Sequence, residues 1–295
     1  MKTHKKYYKI GGFTIEVNSE IPLKANTFHP KFKQFEVDGS GSENIIINHY
    51  FDKTMNLKFT EKDTIYVKKP WAIYQKQDNL IYEWTQNHAP FATNYRKFVT
   101  NKKHTRLDTY NNSQAADFFS KGMLETISLF PTDQILLSQA LAFRQGCIMH
   151  SLGLIHNNKG YLFIGHSGAG KSTMAKIMQN NSIILCDDRN IIRKTKTGFN
   201  LFGTWRHSDF HNISPLSAPL KAIFFLNQSD KNQLEMIRNN KIKISRLLEC
   251  LIKPFATSDW WELTLDFFDD LVKQVDCINL KFDKSGKIRE LIEKL

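Results

Sequence analysis

Between Tyr161 and Asn180 the chain reads YLFIGHSGAGKSTMAKIMQN, with Gly165, Gly170, Lys171 and Ser172 at the spacing GxxxxGK[ST]. Such a glycine-rich loop turns successive backbone N–H groups inward onto phosphate oxygens, and the following helix adds the positive end of its dipole. Gly165, His166, Ser167, Gly168, Ala169, Gly170, Lys171, Ser172 and Thr173 are therefore the expected nucleotide contacts. Lys171 would reach the β- and γ-phosphates, and the Ser172 hydroxyl would bind Mg²⁺. Downstream, Ile183 to Cys186 form an apolar run ending in Asp187-Asp188-Arg189. A carboxylate at the end of a buried strand opposite a P-loop holds Mg²⁺ directly or through water. Alternation along a strand sends neighbouring side chains apart, so one aspartate can serve the metal while the other takes a proton; the spacing does not say which. Two further candidates are His150, on a strand expected to pair with the P-loop strand, and Arg206, a cation in the loop Gly203-Thr204-Trp205-Arg206-His207 within reach of a γ-phosphate.

These residues need elements to hold them. Cys147 to His156 reads as a buried strand and Asn157 to Gly160 as a tight turn, which makes this strand and the P-loop strand hairpin neighbours. Lys196-Thr197-Gly198 is a second hairpin signal, Leu220 to Leu226 a further strand, and Cys277 to Phe282 a closing one. Helical spacing is seen at Leu136, Gln139, Ala140 and Phe143, from Ile242 to Ile252 and from Trp260 to Val275. The half before this is different. From Tyr7 to Asn112 aromatic and β-branched residues alternate with polar ones, and Gln77-Asp78-Asn79 reads as a hairpin turn. Trp71, Tyr74, Tyr82 and Trp84 are expected in its core, and Lys97, Lys102, Lys103, His104 and Arg106 on a solvated loop. The expected division is thus a β-rich module over residues 1–125 and a catalytic domain over 126–295.

The 295 residues are 41% hydrophobic, enough for two cores, and carry a net charge of +12. That charge favours acidic partners without choosing among nucleotides, nucleic acid and acidic peptides. Four cysteines lie far apart with no CxxC pair, which points to neither zinc nor a disulfide framework. No apolar h-region and no membrane-length run is found, so a soluble, cytoplasmic protein is expected.

The succession His150-Ser151-Leu152-Gly153, GHSGAGKST and Cys186-Asp187-Asp188-Arg189 resembles the catalytic domain of bacterial HPr kinase/phosphorylase. It is closest to the broader group of related kinases outside sugar regulation, some of which stand beside ribosomal-peptide clusters and modify a peptide. The turn GTWRH and the later LKAIFFLNQ match the same group. The P-loop with paired aspartates is also similar to ATP-dependent phosphoenolpyruvate carboxykinase. The resemblance covers residues 127–295 and implies an α/β (α+β) fold, a P-loop kinase core behind a β-rich N-terminal domain. It implies Lys171 and Ser172 as nucleotide and metal contacts, Asp187 as metal ligand, Asp188 as general base and His150 as a catalytic-site residue. The arginine- and glycine-rich loop that follows the DDR strand in true HPr kinases is not found, a departure that counts against HPr as substrate and against the reverse phosphorolysis.

The function expected is transfer of the ATP γ-phosphate, with Mg²⁺, to a serine or threonine hydroxyl of a protein or peptide. A GTPase switch is the first alternative, because Asn227-Gln228-Ser229-Asp230 resembles the guanine-reading NKxD with Gln for Lys; no DxxG follows the P-loop. A nucleic-acid ATPase or end kinase is the second, resting on charge and aromatic content with no recognised nucleic-acid motif. The acceptor, the reaction direction and the oligomeric state, a homo-oligomer included, stay open.

Overall fold

Among the described residues, nine strands build the first half: β1 (His4–Ile10), β2 (Phe13–Ser19), β3 (Glu36–Val37), β4 (Asn44–Phe51), β5 (Thr64–Lys68), β6 (Trp71–Lys76), β7 (Asn79–Thr85), β8 (Tyr95–Asn101) and β9 (Arg106–Asn111). They form one sheet in the order β3-β1-β2-β4-β9-β8-β7-β6-β5. The pairs β2–β4 and β4–β9 are parallel and the hairpins antiparallel. The period-2 pattern is plain in β4, where Ile45, Ile47, His49 and Phe51 are buried while the residues between them are not. Tyr8, Phe28, Phe32 and Phe119 meet edge to face beneath this sheet, Phe119 coming from α1 (Ser113–Lys121), whose first turn is capped by Asn112.

The computed structural model describes residues 3–51, 58–85, 95–130, 132–206, 212–255 and 257–295. The chain divides into two compact units, Met1–Leu136 and Leu137–Leu295. The segment from Thr126 to Asp133 belongs with the first unit. His49 Nε2 lies 2.9 Å from the Ile127 carbonyl, Phe130 packs on Phe98 and Trp71, and Asp133 accepts from the Ile127 and Ser128 amides at 3.0 Å. This division therefore falls beyond the 125/126 expected from sequence.

One expectation for this unit is corrected. The basic run is only partly a solvated loop: Lys97 is buried in β8 with Glu83 at 2.7 Å, and His104 is buried with its Nε2 3.2 Å from the Tyr82 hydroxyl. Register explains it, because Glu83 and Lys97 are directly opposed across β7 and β8, so the charge is matched across strands rather than hydrated. Of the aromatic four, Tyr82 and Trp84 are core, whereas Trp71 and Tyr74 are half-buried, Tyr74 stacking on Phe59.

The second unit begins with most of α2 (Gln134–Ala142) and continues as β10 (Gly146–His156), β11 (Lys159–Ile164), α3 (Lys171–Met178), β12 (Ile183–Cys186), β13 (Arg189–Thr195), β14 (Gly198–Phe202), β15 (Ser217–Gln228), β16 (Gln233–Met236), α4 (Asn240–Cys250), α5 (Ser258–Gln274), β17 (Asp276–Phe282) and α6 (Ile288–Glu293). Among the described residues its sheet has eight strands in the order β11-β10-β13-β14-β15-β17-β16, with β12 on β10 and a further β11–β15 pairing. β11, β15 and β17 are mutually parallel, so their carboxyl ends share one edge. Alternation divides the core between two faces. Tyr161 and Phe163 point to α3 and α6 with Phe224 and Leu280, while Leu162 and Ile164 point to α4 and α5 with Ile223, Trp260 and Phe268. α2 is tied to the α4–α5 connection by Ser138 to the Ile252 carbonyl at 3.0 Å and Gln139 to the Phe255 carbonyl at 2.8 Å. The molecule is thus mixed α/β with two sheets. Among the described residues no helix is long and apolar enough to cross a membrane.

Candidate functional site

The loop after β11 is shaped by close packing. Gly170, with φ of 103°, is the N-cap of α3, and a Cβ there would stand 2.5 Å from Phe282 Cζ. A Cβ at Gly165 would stand 2.5 Å from that of Ala169. Gln228, at the end of β15, donates to the Gly168 carbonyl at 2.6 Å and so braces the loop from the neighbouring parallel strand. Gln228 belongs to the Asn227-Gln228-Ser229-Asp230 stretch that resembles a guanine-reading motif, and its amide supports the loop backbone. Lys171 is buried and donates to the Gly165 carbonyl at 2.7 Å and the His166 carbonyl at 3.1 Å. Burial holds its ammonium below the ordinary lysine pKa, opposed by the nearby Cys250, Asp188 and Asp187. His166 reaches outward to Glu249 at 3.3 Å.

Strand direction brings the aspartates to the same edge. β10 runs antiparallel to β11, and β12 antiparallel to β10, so β12 points the same way as β11. Asp187 and Asp188 form the short bend by which the chain leaves β12 and re-pairs with the first half of β10 as β13. Asn190 holds that bend, donating to the carbonyls of Ser151 at 2.8 Å and Cys186 at 3.0 Å. Only glycine fits opposite it, since a Cβ at Gly153 would stand 2.3 Å from Asn190 Oδ1. The Ser151 amide donates to the Asp188 carbonyl at 3.1 Å.

The two carboxylates then diverge. Asp187 lines a cavity of about 330 Å³ together with His150, Ser167, Lys171, Ser172, Thr173 and Gln228. Asp188 is not among that lining. Its Oδ1 lies 3.1 Å from His150 Nδ1 and 2.5 Å from Arg189 Nη1, and its Oδ2 lies 3.5 Å from Arg206 Nε. Burial works to raise the Asp188 pKa, but the His150 contact and the Arg189 and Arg206 charges outweigh it and hold the carboxyl below its ordinary value. Burial depresses Arg189 as well, in part offset by Asp188.

Arg206 is delivered by its own turn. Thr204 is buried, its hydroxyl donates to the Arg189 carbonyl at 2.6 Å, and the Arg206 amide donates back to that hydroxyl at 3.3 Å. Cys186 sits beneath, accepting from the Asp188 and Arg189 amides, its thiol pushed up by burial to about 11. His207 and His211, whose four-residue spacing could put both on one helix face as metal ligands with no third ligand evident in the sequence, lie outside the described residues.

Every candidate site residue read from the sequence is thus in the P-loop or around the bend, with His150 between them. Arg189, Asn190 and Thr204 are not marked as site residues by the sequence, and Gln228 is marked there only through the guanine-reading resemblance of Asn227-Gln228-Ser229-Asp230. Arg189 stood next to the aspartates in plain view; the others act through pairings between strands distant in sequence. Among the described residues no group of three or more His, Cys, Asp or Glu side chains forms a ready-made metal cage. Ser172 and Asp187 on one cavity are nonetheless an oxygen donor pair of the kind Mg²⁺ takes when phosphates supply the remaining ligands.

A search of the curated proteins found no match to the chain. One family model matches residues 124–295, which is more than half of the chain and contains the P-loop, the aspartate bend and the Arg206 turn. The chain belongs to the family of the SynChlorMet cassette protein ScmC.

Proposed function

We propose that the protein is an ATP- and Mg²⁺-dependent kinase that transfers the γ-phosphate to a hydroxyl of a protein or peptide, on a P-loop core of HPr-kinase type. The β-rich unit is its substrate-recognition domain in this reading. The observation that carries it is the separation of the two aspartates: Asp187 lines the P-loop cavity, while Asp188 turns to His150, Arg189 and Arg206. A hydrolase needs a residue that aims water; a kinase needs a metal-side carboxylate and a second one for the acceptor proton.

In the reaction the acceptor oxygen bonds to the γ-phosphorus as the bond to the β–γ bridging oxygen breaks and ADP leaves. Loop amides and Lys171 hold the β- and γ-phosphates, fixed in place before substrate arrives. Ser172 and Asp187 would hold Mg²⁺, which offsets charge on the phosphate oxygens. Asp188, ionised at neutral pH, takes the acceptor proton, oriented by His150 and Arg189. Arg206, mostly exposed at the rim, faces the incoming acceptor and the charge that develops on the transferring group. ATP supply makes the cytoplasm its place of action.

The family's name describes a cassette protein, so products of the same cassette are the first acceptors to try. Incubation with γ-labelled ATP and Mg²⁺, followed by mapping of the labelled residue, should place phosphate on a Ser or Thr hydroxyl, with Lys171→Ala as the blank. Label that stays in free phosphate with every acceptor, at a rate independent of the acceptor, would make the protein a nucleotidase instead.

A further inference from the structure

We infer that the second cavity, at the carboxyl end of β17, seats the nucleoside half of the nucleotide; this rests on the P-loop reading above. The cavity has a volume of about 510 Å³, within the range of small-ligand pockets, and is bounded by α3 on one side and the β17–α6 loop on the other. Thr173, Lys176 and Ile177 come from α3; Lys284, Ser285 and Lys287 come from the loop.

Three observations point to a nucleoside rather than to the acceptor. First, Thr173 lines both cavities, so the two adjoin at the first turn of α3. Second, the P-loop gives a bound triphosphate a direction. Lys171 and the aspartate bend define the γ end, and the helix turn that follows lies towards the α-phosphate, so what is attached to the α-phosphate leaves past Thr173. Third, β11, β15 and β17 end on the same edge of the sheet, where ligands of parallel α/β sheets bind. The acceptor has to approach the γ-phosphate from the opposite end, where His150, Asp188 and Arg206 stand.

The seat is firmly built. Asp283 accepts from the Ser285 amide at 2.9 Å and its hydroxyl at 2.5 Å, and the Lys287 amide donates to Ser285 Oγ at 3.3 Å. Phe282, the residue before this loop, packs beneath Gly170, which ties the loop to the P-loop. Ile177 offers an apolar surface to a base, and Lys176, Lys284 and Lys287 offer donors to ribose oxygens.

The test compares binding of Mg-ATP with binding of Mg-tripolyphosphate, which fills the P-loop but carries no nucleoside. In the full chain ATP should bind more tightly. Lys176→Trp and Lys284→Trp, each putting an indole into the cavity at an exposed position, should cut the ATP advantage at least fivefold and leave tripolyphosphate affinity within twofold. An unchanged ATP advantage in both variants, or equal loss of both ligands, overturns the inference while the P-loop reading stands. If the wild-type chain binds neither ligand, the P-loop reading itself fails. Photolabelling of the unmodified chain with an azido-ATP gives a second readout. Label on the peptides carrying Lys176 or Lys284 supports the seat, and label confined to any other segment overturns it.

Discussion

Asp188 is a carboxylate among cations, and that arrangement sets how it responds to pH. Its folded pKa lies below the ordinary 3.8, so the stability it contributes is present above that value and is lost as pH falls through the depressed one. In the reading proposed above, Asp188 would act as proton acceptor in its ionised form, and the acid limb of turnover would follow its protonation. Arg206→Gln removes one of the charges that depress it, so the acid limb of kcat should move to higher pH; a pH–rate profile superimposable on the wild type would take Arg206 out of the Asp188 environment. The neighbouring carboxylates should separate in a binding and turnover experiment. Asp187→Asn should weaken Mg-dependent ATP binding, whereas Asp188→Asn should leave binding nearly unchanged and lower turnover by roughly 10²–10⁴-fold, the usual contribution of a general base. Two variants that both bind Mg-ATP and both phosphorylate the acceptor normally would leave neither carboxylate with chemistry to do. Lys171→Ala should abolish transfer with little change in thermal stability, because alanine suits the start of α3 and the lysine's partners are loop carbonyls rather than core.

At the scale of elements the site depends on how strands are paired more than on any one side chain. Gly170→Ala faces both a left-handed φ and Phe282, so it should lose nucleotide affinity by tenfold or more, measured by titration with ATP, even where circular dichroism shows the fold retained. Gly153→Ala pushes Asn190 out of the bend and should lower turnover and stability together, the latter by about 1–3 kcal/mol for the hydrogen-bonded groups it disturbs. These two glycines also mark what a sequence does and does not disclose. Gly170 was legible, because strand, loop and helix are contiguous and the spacing GxxxxGK[ST] is itself the geometry. The strands around it were legible for the same reason, from apolar runs and from two-residue turns such as Asn157-Asn158, both at positive φ. Gly153 was not, since its reason is a side chain on a strand that pairs with β10 only after the chain has passed through the P-loop and α3. Lys97 and His104 were misread similarly: a basic run looks solvated until the strand opposite supplies Glu83 and Tyr82. β16 escaped notice because four half-exposed residues carry too little periodicity to announce a strand.

For the whole molecule, the described parts of the P-loop, the aspartate bend and the Arg206 turn all lie in the second unit, and every contact given for them stays within it. A unit with its own sheet and two-sided core should bind nucleotide without the other. The division runs through α2, however, and Ser138 and Gln139 of that helix anchor the α4–α5 connection while Trp260 Nε1 donates to the Ser138 carbonyl at 3.1 Å. A fragment that begins inside α2 would cut these ties, so the informative one starts at Asp133 and keeps the helix entire. In the reading proposed above, this fragment, residues 133–295, should bind Mg-ATP within about threefold of the full chain yet transfer little phosphate to the protein or peptide acceptor, because acceptor choice is assigned to the β-rich unit. Calorimetric titration with ATP and the label-transfer assay read the two properties separately. A folded fragment that phosphorylates the acceptor as fast as the full chain would remove substrate recognition from the first unit, and a folded fragment with no affinity for ATP would mean that the nucleotide site needs residues from both.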